Sequence, residues 1–409
     1  MGMLQNNVPF HEFHERRSQC VSQASDRGLN GLMVWSRGGG TFDRYADVDY
    51  LANHYQQRCY LPDYMPLWSG RSHCVLFIPV EGEPILVVSS PEYSIDLIAV
   101  SDVRYSNDFI GECRRAIYDL NMDEGKVGLV GADVLPFAYS QKLFAETPEL
   151  EVATADDIVQ HTRMIKSPRE EACINEACRI GTSAVNQIMR NVSEGKTESQ
   201  IIAPAIETVV EEGAVVYFVI TSSGSYINYA QSVDFPGYDH QRKVENGELF
   251  RVDLIISYQG YMCDFGRSCV VGHTPSIPQQ EMLDMVTDAC EHVIQSIQPG
   301  LRVKDLCRIG DNYLEERGVS FAVDQTNADV IYAGYPPHWG HGLGMSWERP
   351  WLVKEEEMTL EPNMFLAIEK SLYKPGVGTV SYEQNIKVTE NGACILTTSP
   401  KKWDKTAIS

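Results

Sequence analysis

From Leu249 to Val271 apolar and polar side chains alternate with the two-residue period of a β-strand. Phe250, Val252, Leu254 and Ile256 fall on one face, and Arg251, Asp253, Ile255 and Ser257 on the other. Tyr258-Gln259-Gly260 reads as a turn, because glycine reaches positive φ at no steric cost, and the return strand carries Asp264. The stretch is therefore a β-hairpin that can bring its two aspartates, eleven residues apart, side by side. A carboxylate inside an apolar strand is costly unless compensated. Unless each sits at a strand end in water, two such neighbours need a shared proton or a cation.

The same reading carries along the chain. Residues 10–30 predict a helix; 31–35, 73–80, 84–89 and 126–131 predict strands; and 138–147 predict a second helix, with mixed character over 91–120. Alternating elements of this kind make a small α/β domain, placed here at 1–157, with a second domain over 158–409. Tyr45, Tyr50, Tyr55, Tyr60, Tyr64 and Trp68 are spaced too irregularly for a helix face, so 45–68 reads as an aromatic loop. Ser167, Pro168 and Glu170 form a helix start with a capping box, and Thr197 with Gln200 forms another. Helices over 279–297 and 303–317 then repeat that helix–turn–helix arrangement. Each pair precedes strands with in-pointing acids, which suggests a domain of two similar halves around one site. In the second half Glu369 alternates with Ile368, and Glu383 with Tyr382. A glycine-rich run holding His338 and His341 lies between the halves.

Composition narrows the function. A chain of 409 residues exceeds one ordinary core. Its net charge of −22 argues against nucleic acid and against an anionic membrane surface. No run approaches the roughly 18–20 apolar residues of a membrane span, and the first twenty residues carry no signal-peptide core. Eleven scattered cysteines without a CxxC pair suggest reduced thiols and a cytoplasmic protein.

Asp253, Asp264, His341, Glu369 and Glu383 make an oxygen-rich donor set suited to Mn²⁺, Fe²⁺, Co²⁺ or Zn²⁺. Four acids exceed the need of one divalent ion. Two ions roughly 3.5–4 Å apart would neutralise them, activate a water and polarise a carbonyl.

These residues lie in motifs that resemble one superfamily: methionine aminopeptidase, aminopeptidase P, prolidase and creatinase, with the pita-bread fold. RMIKSPREE resembles the start of its catalytic domain, and ENGELFRVDLIISYQGYMCDFGR the strand pair bearing the first two metal ligands. GHGLGMSWERP resembles the segment of the ligand histidine, and EPNMFLAIE and VSYEQNIKVTENG the last two ligand strands. The resemblance implies an α/β (α+β) chain: a creatinase-like N-terminal domain and a pita-bread catalytic domain with internal pseudo-two-fold repeat. It implies that Asp253 chelates one ion, that His341 and Glu369 hold the second, and that Asp264 and Glu383 bridge both. DVDYLANHY resembles the motif before a loop that reaches the partner subunit's site, which implies a homodimer with the 45–68 loop over the partner's metals.

Two positions depart from the peptidases of that superfamily. Tyr229-Ala230 stands near one expected histidine, and Trp347-Glu348 replaces a His-Glu or His-Asp pair. Those histidines position the scissile carbonyl and shuttle protons in the family. Glu369 and His338 remain as candidate catalytic groups, with His240 a further substitute, and Tyr229, Trp347 and Glu348 as candidate substrate-binding residues. Three readings stay open. One is a two-metal hydrolase splitting a C–N bond in a dipeptide, a cyclic amidine or another small zwitterion. Another is a lyase of the dimethylsulfoniopropionate type, and the third is a non-catalytic binding protein. The exchange of histidines for aromatic faces favours a cationic group on the ligand, at roughly 0.5–2 kcal/mol per contact.

Overall fold

The computed structural model describes residues 8–38, 46–55, 61–224, 227, 237–272, 274–334 and 337–402. The chain divides into two compact units, Met1–Arg163 and Met164–Ser409.

Among the described residues, the first unit holds β1 (Gly31–Arg37), β2 (His73–Pro79), β3 (Ile85–Val88), β4 (Asp102–Tyr105), β5 (Gly125–Val130) and β6 (Leu150–Thr154). They form one sheet of order β4-β3-β2-β1-β5-β6. The β1–β2 and β2–β3 pairs are antiparallel and the other pairs parallel. Helices α1 (Phe10–Asp26) and α2 (Ala46–Ala52) pack with β1 and β2, and α3 (Phe109–Asp119) packs on β2, β3 and β4 with α4 (Phe137–Glu146) beside it. Trp35, Phe77 and Val87 meet Phe109 and Ile117 in one apolar cluster. The alternate residues Leu32, Val34 and Leu76 are buried as well, so both faces of the sheet are covered.

Three features differ from the sequence reading. Residues 46–52 are helical rather than loop, because alanine and leucine at 46, 51 and 52 favour helix whatever the aromatic spacing. Tyr50 is buried there and donates to the Thr162 carbonyl at 3.1 Å. Tyr45 and residues 56–60 of the aromatic stretch lie outside the described residues. Residues 150–154 lack a clear apolar run and still form the edge strand β6. The unit also extends past 157, because α5 (Asp156–Met164) is tied into it. Thr162 meets Cys20 at 3.4 Å, and Arg163 pairs with Asp47 at 2.7 Å.

The second unit repeats one pattern twice. Helices α6 (Pro168–Asn191) and α7 (Glu198–Glu211) start at the two expected capping boxes and accompany β7 (Val215–Ser223), β8 (Leu249–Tyr258) and β9 (Tyr261–Val270). Helices α8 (Ile277–Ser296) and α9 (Val303–Glu315) accompany β10 (Tyr332–Ala333), β11 (Gly340–Leu343), β12 (Trp347–Trp351), β13 (Phe365–Lys374), β14 (Gly378–Thr389) and β15 (Gly392–Ile395). The sheet orders are β7-β8-β9 and β12-β11-β13-β14-β15, with β10 on β13. At the β8–β9 turn, Gln259 and Gly260 take φ of 49° and 87°, the two positive values of a type I′ turn.

The two sheets meet where β9 lies against β14. The side-chain amide of Asn385 imitates a ladder partner: its Oδ1 accepts the Asp264 N–H at 3.0 Å, and its Nδ2 donates to the Asp264 carbonyl. Ser268 Oγ donates to the Ser381 carbonyl and accepts the Ser381 N–H, both at 2.9 Å. Arg267 donates to the Glu383 carbonyl and to Gln384 Oε1. This seam carries one acid from each hairpin, Asp264 and Glu383, and the strands next to it, β8 and β13, carry Asp253 and Glu369.

Candidate metal centre

Strand register assembles the donors. Glu369 stands directly opposite Glu383, and His341 opposite Ala367, two residues before Glu369 and hence on its face. Asp264 pairs with Ile255 and Asp253 with Gly266, so the two aspartates are diagonal neighbours rather than a directly opposed pair. Donor atoms of Asp264, His341 and Glu383 lie within 4.8 Å of one another, and all three residues are buried. His341 Nε2 stands 3.5 Å from Asp264 Oδ2 and 4.0 Å from Glu369 Oε1. Its Nδ1 is 3.0 Å from the Gly342 carbonyl, which fixes the proton there and turns the Nε2 lone pair toward the acids.

Electrostatics show why this cluster suits a cation. Burial, followed by mutual repulsion, raises Asp264 and Glu383 well above the usual carboxylate range and Glu369 to about 7. Asp253 is raised by burial and drawn back by the Arg251 guanidinium. Burial pushes His341 down to about 4, so it is neutral at pH 7, the form a metal needs. Asp253 Oδ1 and Asp264 Oδ1 are enclosed and meet no hydrogen-bond partner among the described residues. Orphaned carboxylate oxygens of this kind, with a neutral imidazole beside them, fit a divalent metal.

The remaining candidates fall in several places. Trp347 donates from its indole Nε1 to Asp264 Oδ2 at 2.7 Å. Its ring packs on Phe218 and Tyr217, with centroids at 5.8 and 6.0 Å. Glu348 accepts from the buried Lys166 ammonium at 2.7 Å and from the Met345 N–H at 3.0 Å, so both its oxygens are engaged within the protein. His338 accepts the Gly340 N–H at Nδ1, 3.0 Å away, and the same nitrogen lies 3.5 Å from Glu369 Oε1. Burial lowers His338 to about 3. His240 is exposed and contacts Gln241. Tyr229 lies outside the described residues. Asn385, which holds the Asp264 backbone, and Lys166, which holds Glu348, have no counterpart in the sequence reading. For Asn385 the signal was its place two residues after Glu383, on the same strand face.

Two sheets joined at a seam of acids, with a neutral histidine facing them, form a site suited to a divalent metal. A model of metallopeptidase family M24 matches residues 172–390. The Xaa-Pro dipeptidase of Pyrococcus horikoshii is 30% identical over 272 residues, covering 66% of this chain and 72% of that protein. The Xaa-Pro dipeptidase of Pyrococcus furiosus is 28% identical over 290 residues, covering 70% and 77%. Prolidase from Pyrococcus horikoshii OT3 superposes with a TM-score of 0.75 at 24% identity, over 94% of this chain and 99% of that one. Dipeptidase PepE from Mycobacterium ulcerans gives 0.79 at 22% identity, over 97% and 98%. These superpositions establish the two-domain fold. The chain belongs to metallopeptidase family M24.

Proposed function

We propose that this chain is a two-metal hydrolase that cleaves the C–N bond of a small Xaa-Pro dipeptide or a related zwitterion. The observation that supports it most is the convergence of Asp264, His341 and Glu383 within 4.8 Å at the seam. Its similarity to Xaa-Pro dipeptidases adds the substrate class. In this reading Asp253 would hold one ion, His341 and Glu369 would hold the other, and Asp264 and Glu383 would be shared between them. Bound there, the ions would polarise the scissile carbonyl and acidify a water. The chain's own residues supply the rest. His338 is neutral with Nδ1 engaged, which leaves its Nε2–H to donate to a substrate oxygen or to the leaving nitrogen. Glu369, beside His338 and on the face of the donor cluster, is the candidate to take and return a proton. Trp347, with Tyr229 assigned from the sequence, would face the cationic end of the ligand.

The test is metal analysis with a substrate panel. Chelated protein reloaded with Mn²⁺, Fe²⁺, Co²⁺ or Zn²⁺ should hold about two ions per chain and regain dipeptide cleavage. Asp264→Ala and Glu383→Ala should abolish both. Full activity under a strong chelator with no bound metal would refute the reading. Elimination from a sulfonium carboxylate, with dipeptides untouched, would move the assignment to a lyase.

We infer a cytoplasmic homodimer as the working form. Exposed Leu61, Tyr64, Met65 and Leu67 offer apolar surface for a partner, and the described cysteines form no disulfide with one another. A monomer by sedimentation at assay concentration, fully active, would overturn it.

A further inference from the structure

Arg251 precedes Asp253 by two residues on β8, so its side chain leaves the same face of the strand as that metal ligand. It is 2% exposed. Its Nε and Nη2 are enclosed and meet no hydrogen-bond partner among the described residues. Directly opposite on β7 stands Ser222, 1% exposed, whose Oγ is enclosed and unpartnered in the same way. Cβ atoms of opposed residues lie about 5 Å apart, so the guanidinium and the hydroxyl share one patch of the sheet face. On the other side the partner is Ser268, whose hydroxyl is already spent on Ser381.

A buried guanidinium with two of its nitrogens unbonded is costly. Asp253, Glu369 and Glu383 act on it across space, and the ions claim those carboxylates. Four carboxylates and Arg251 leave three negative charges; two divalent ions turn that into one positive charge, which an anion completes. A guanidinium fork matches a carboxylate through two parallel hydrogen bonds. At about 3.3 Å per residue, Arg251 starts about 7 Å along the strand from Asp253.

We propose that Arg251 and Ser222 form an anion subsite beside the metal ligands, which takes the free carboxylate of the substrate. The proposal rests on the hydrolase reading for its substrate and on the β7–β8 geometry for its site. A mere counter-charge to the acids would change metal affinity and would not discriminate between an acid and its amide.

The experiment is calorimetric titration of the metal-loaded protein with proline and with prolinamide, metal content being checked on every variant. Wild type should bind proline at least about tenfold more tightly than prolinamide. Arg251→Gln should bring the two to within about threefold, Arg251→Lys should keep part of the preference, and Ser222→Ala should lower it several-fold. If Arg251→Gln fails to fold or to load metal, Ser222→Ala decides. No preference in wild type, or a preference unchanged by these substitutions, overturns the subsite. If no Xaa-Pro peptide is cleaved while the proline preference exists and falls in the variants, the subsite stands and the peptidase reading fails.

Discussion

The contact of greatest consequence at the scale of one residue is the Trp347 indole N–H on Asp264 Oδ2. It draws the Asp264 carboxyl toward its charged form against burial and against Asp253, and it leaves Oδ1 unpartnered for an ion. A donor on a ligand carboxylate orients it, and losing such a donor costs about 10–100-fold in metal affinity. Trp347→Phe keeps a ring against Tyr217 and Phe218 and removes only the N–H. We expect it to weaken metal binding about tenfold, read by competition with a chromophoric chelator, with Tm almost unchanged. Trp347→His restores a ring N–H and should recover part of that affinity. Unchanged metal affinity in Trp347→Phe would mean that the indole only fills space beside the glycine-rich turn.

Among elements, the β9–β14 seam decides whether the two hairpins act as one site. Asn385→Ala would strip both bonds from the buried Asp264 backbone. Two buried groups left unsatisfied should cost about 2–4 kcal/mol by denaturant titration of the chelated protein. Metal affinity should fall with it. A loss below about 0.5 kcal/mol would show that the seam is held elsewhere. The sequence discloses the faces of this arrangement and conceals its joints. Alternation alone put Asp253, Glu369 and Glu383 on strand faces, and capping boxes alone located α6 and α7, because those signals are local. Register is different. The two-residue offset between Asp253 and Asp264 depends on where the ladder closes around Gln259-Gly260, and alternation is blind to a shift of two. Asn385 lies 121 residues from Asp264, and Lys166 lies 182 residues from Glu348, so nothing nearby announces either contact. For that reason Glu348 read as a residue facing substrate, whereas its oxygens are engaged by Lys166 and Met345.

Across the whole molecule, the gathered acids make folding a proton-linked event. Glu369 titrates near 7 in the folded chain against an ordinary 4.5, with Lys370 and Arg251 opposing the rise. The folded state therefore binds the proton more tightly than the unfolded state. The resulting stabilisation, on the order of 3 kcal/mol, is fully present below about pH 4.5 and is lost as pH rises through about 7. Asp264 and Glu383, raised further by burial and repulsion, extend that loss to higher pH. Buried histidines act in the opposite sense. His54, His73 and His341 are pushed down to about 4 and His338 to about 3, so their contribution is present above about 6.5 and is lost as pH falls toward those values. The two effects oppose each other below about pH 6.5, and the carboxyl effect continues above it. Chelated protein should thus lose Tm steadily from about pH 6.5 to 8.5. Divalent ions replace the protons, so loaded protein should hold its Tm over that range, and the gap between the two should widen with pH. Metal uptake near pH 7 should release protons, seen as a binding enthalpy that changes with the ionisation enthalpy of the buffer. A chelated protein whose Tm is flat or rises across this range, with no proton release on loading, would show that the acids are already ionised without metal. The need for ions would then not arise from their repulsion.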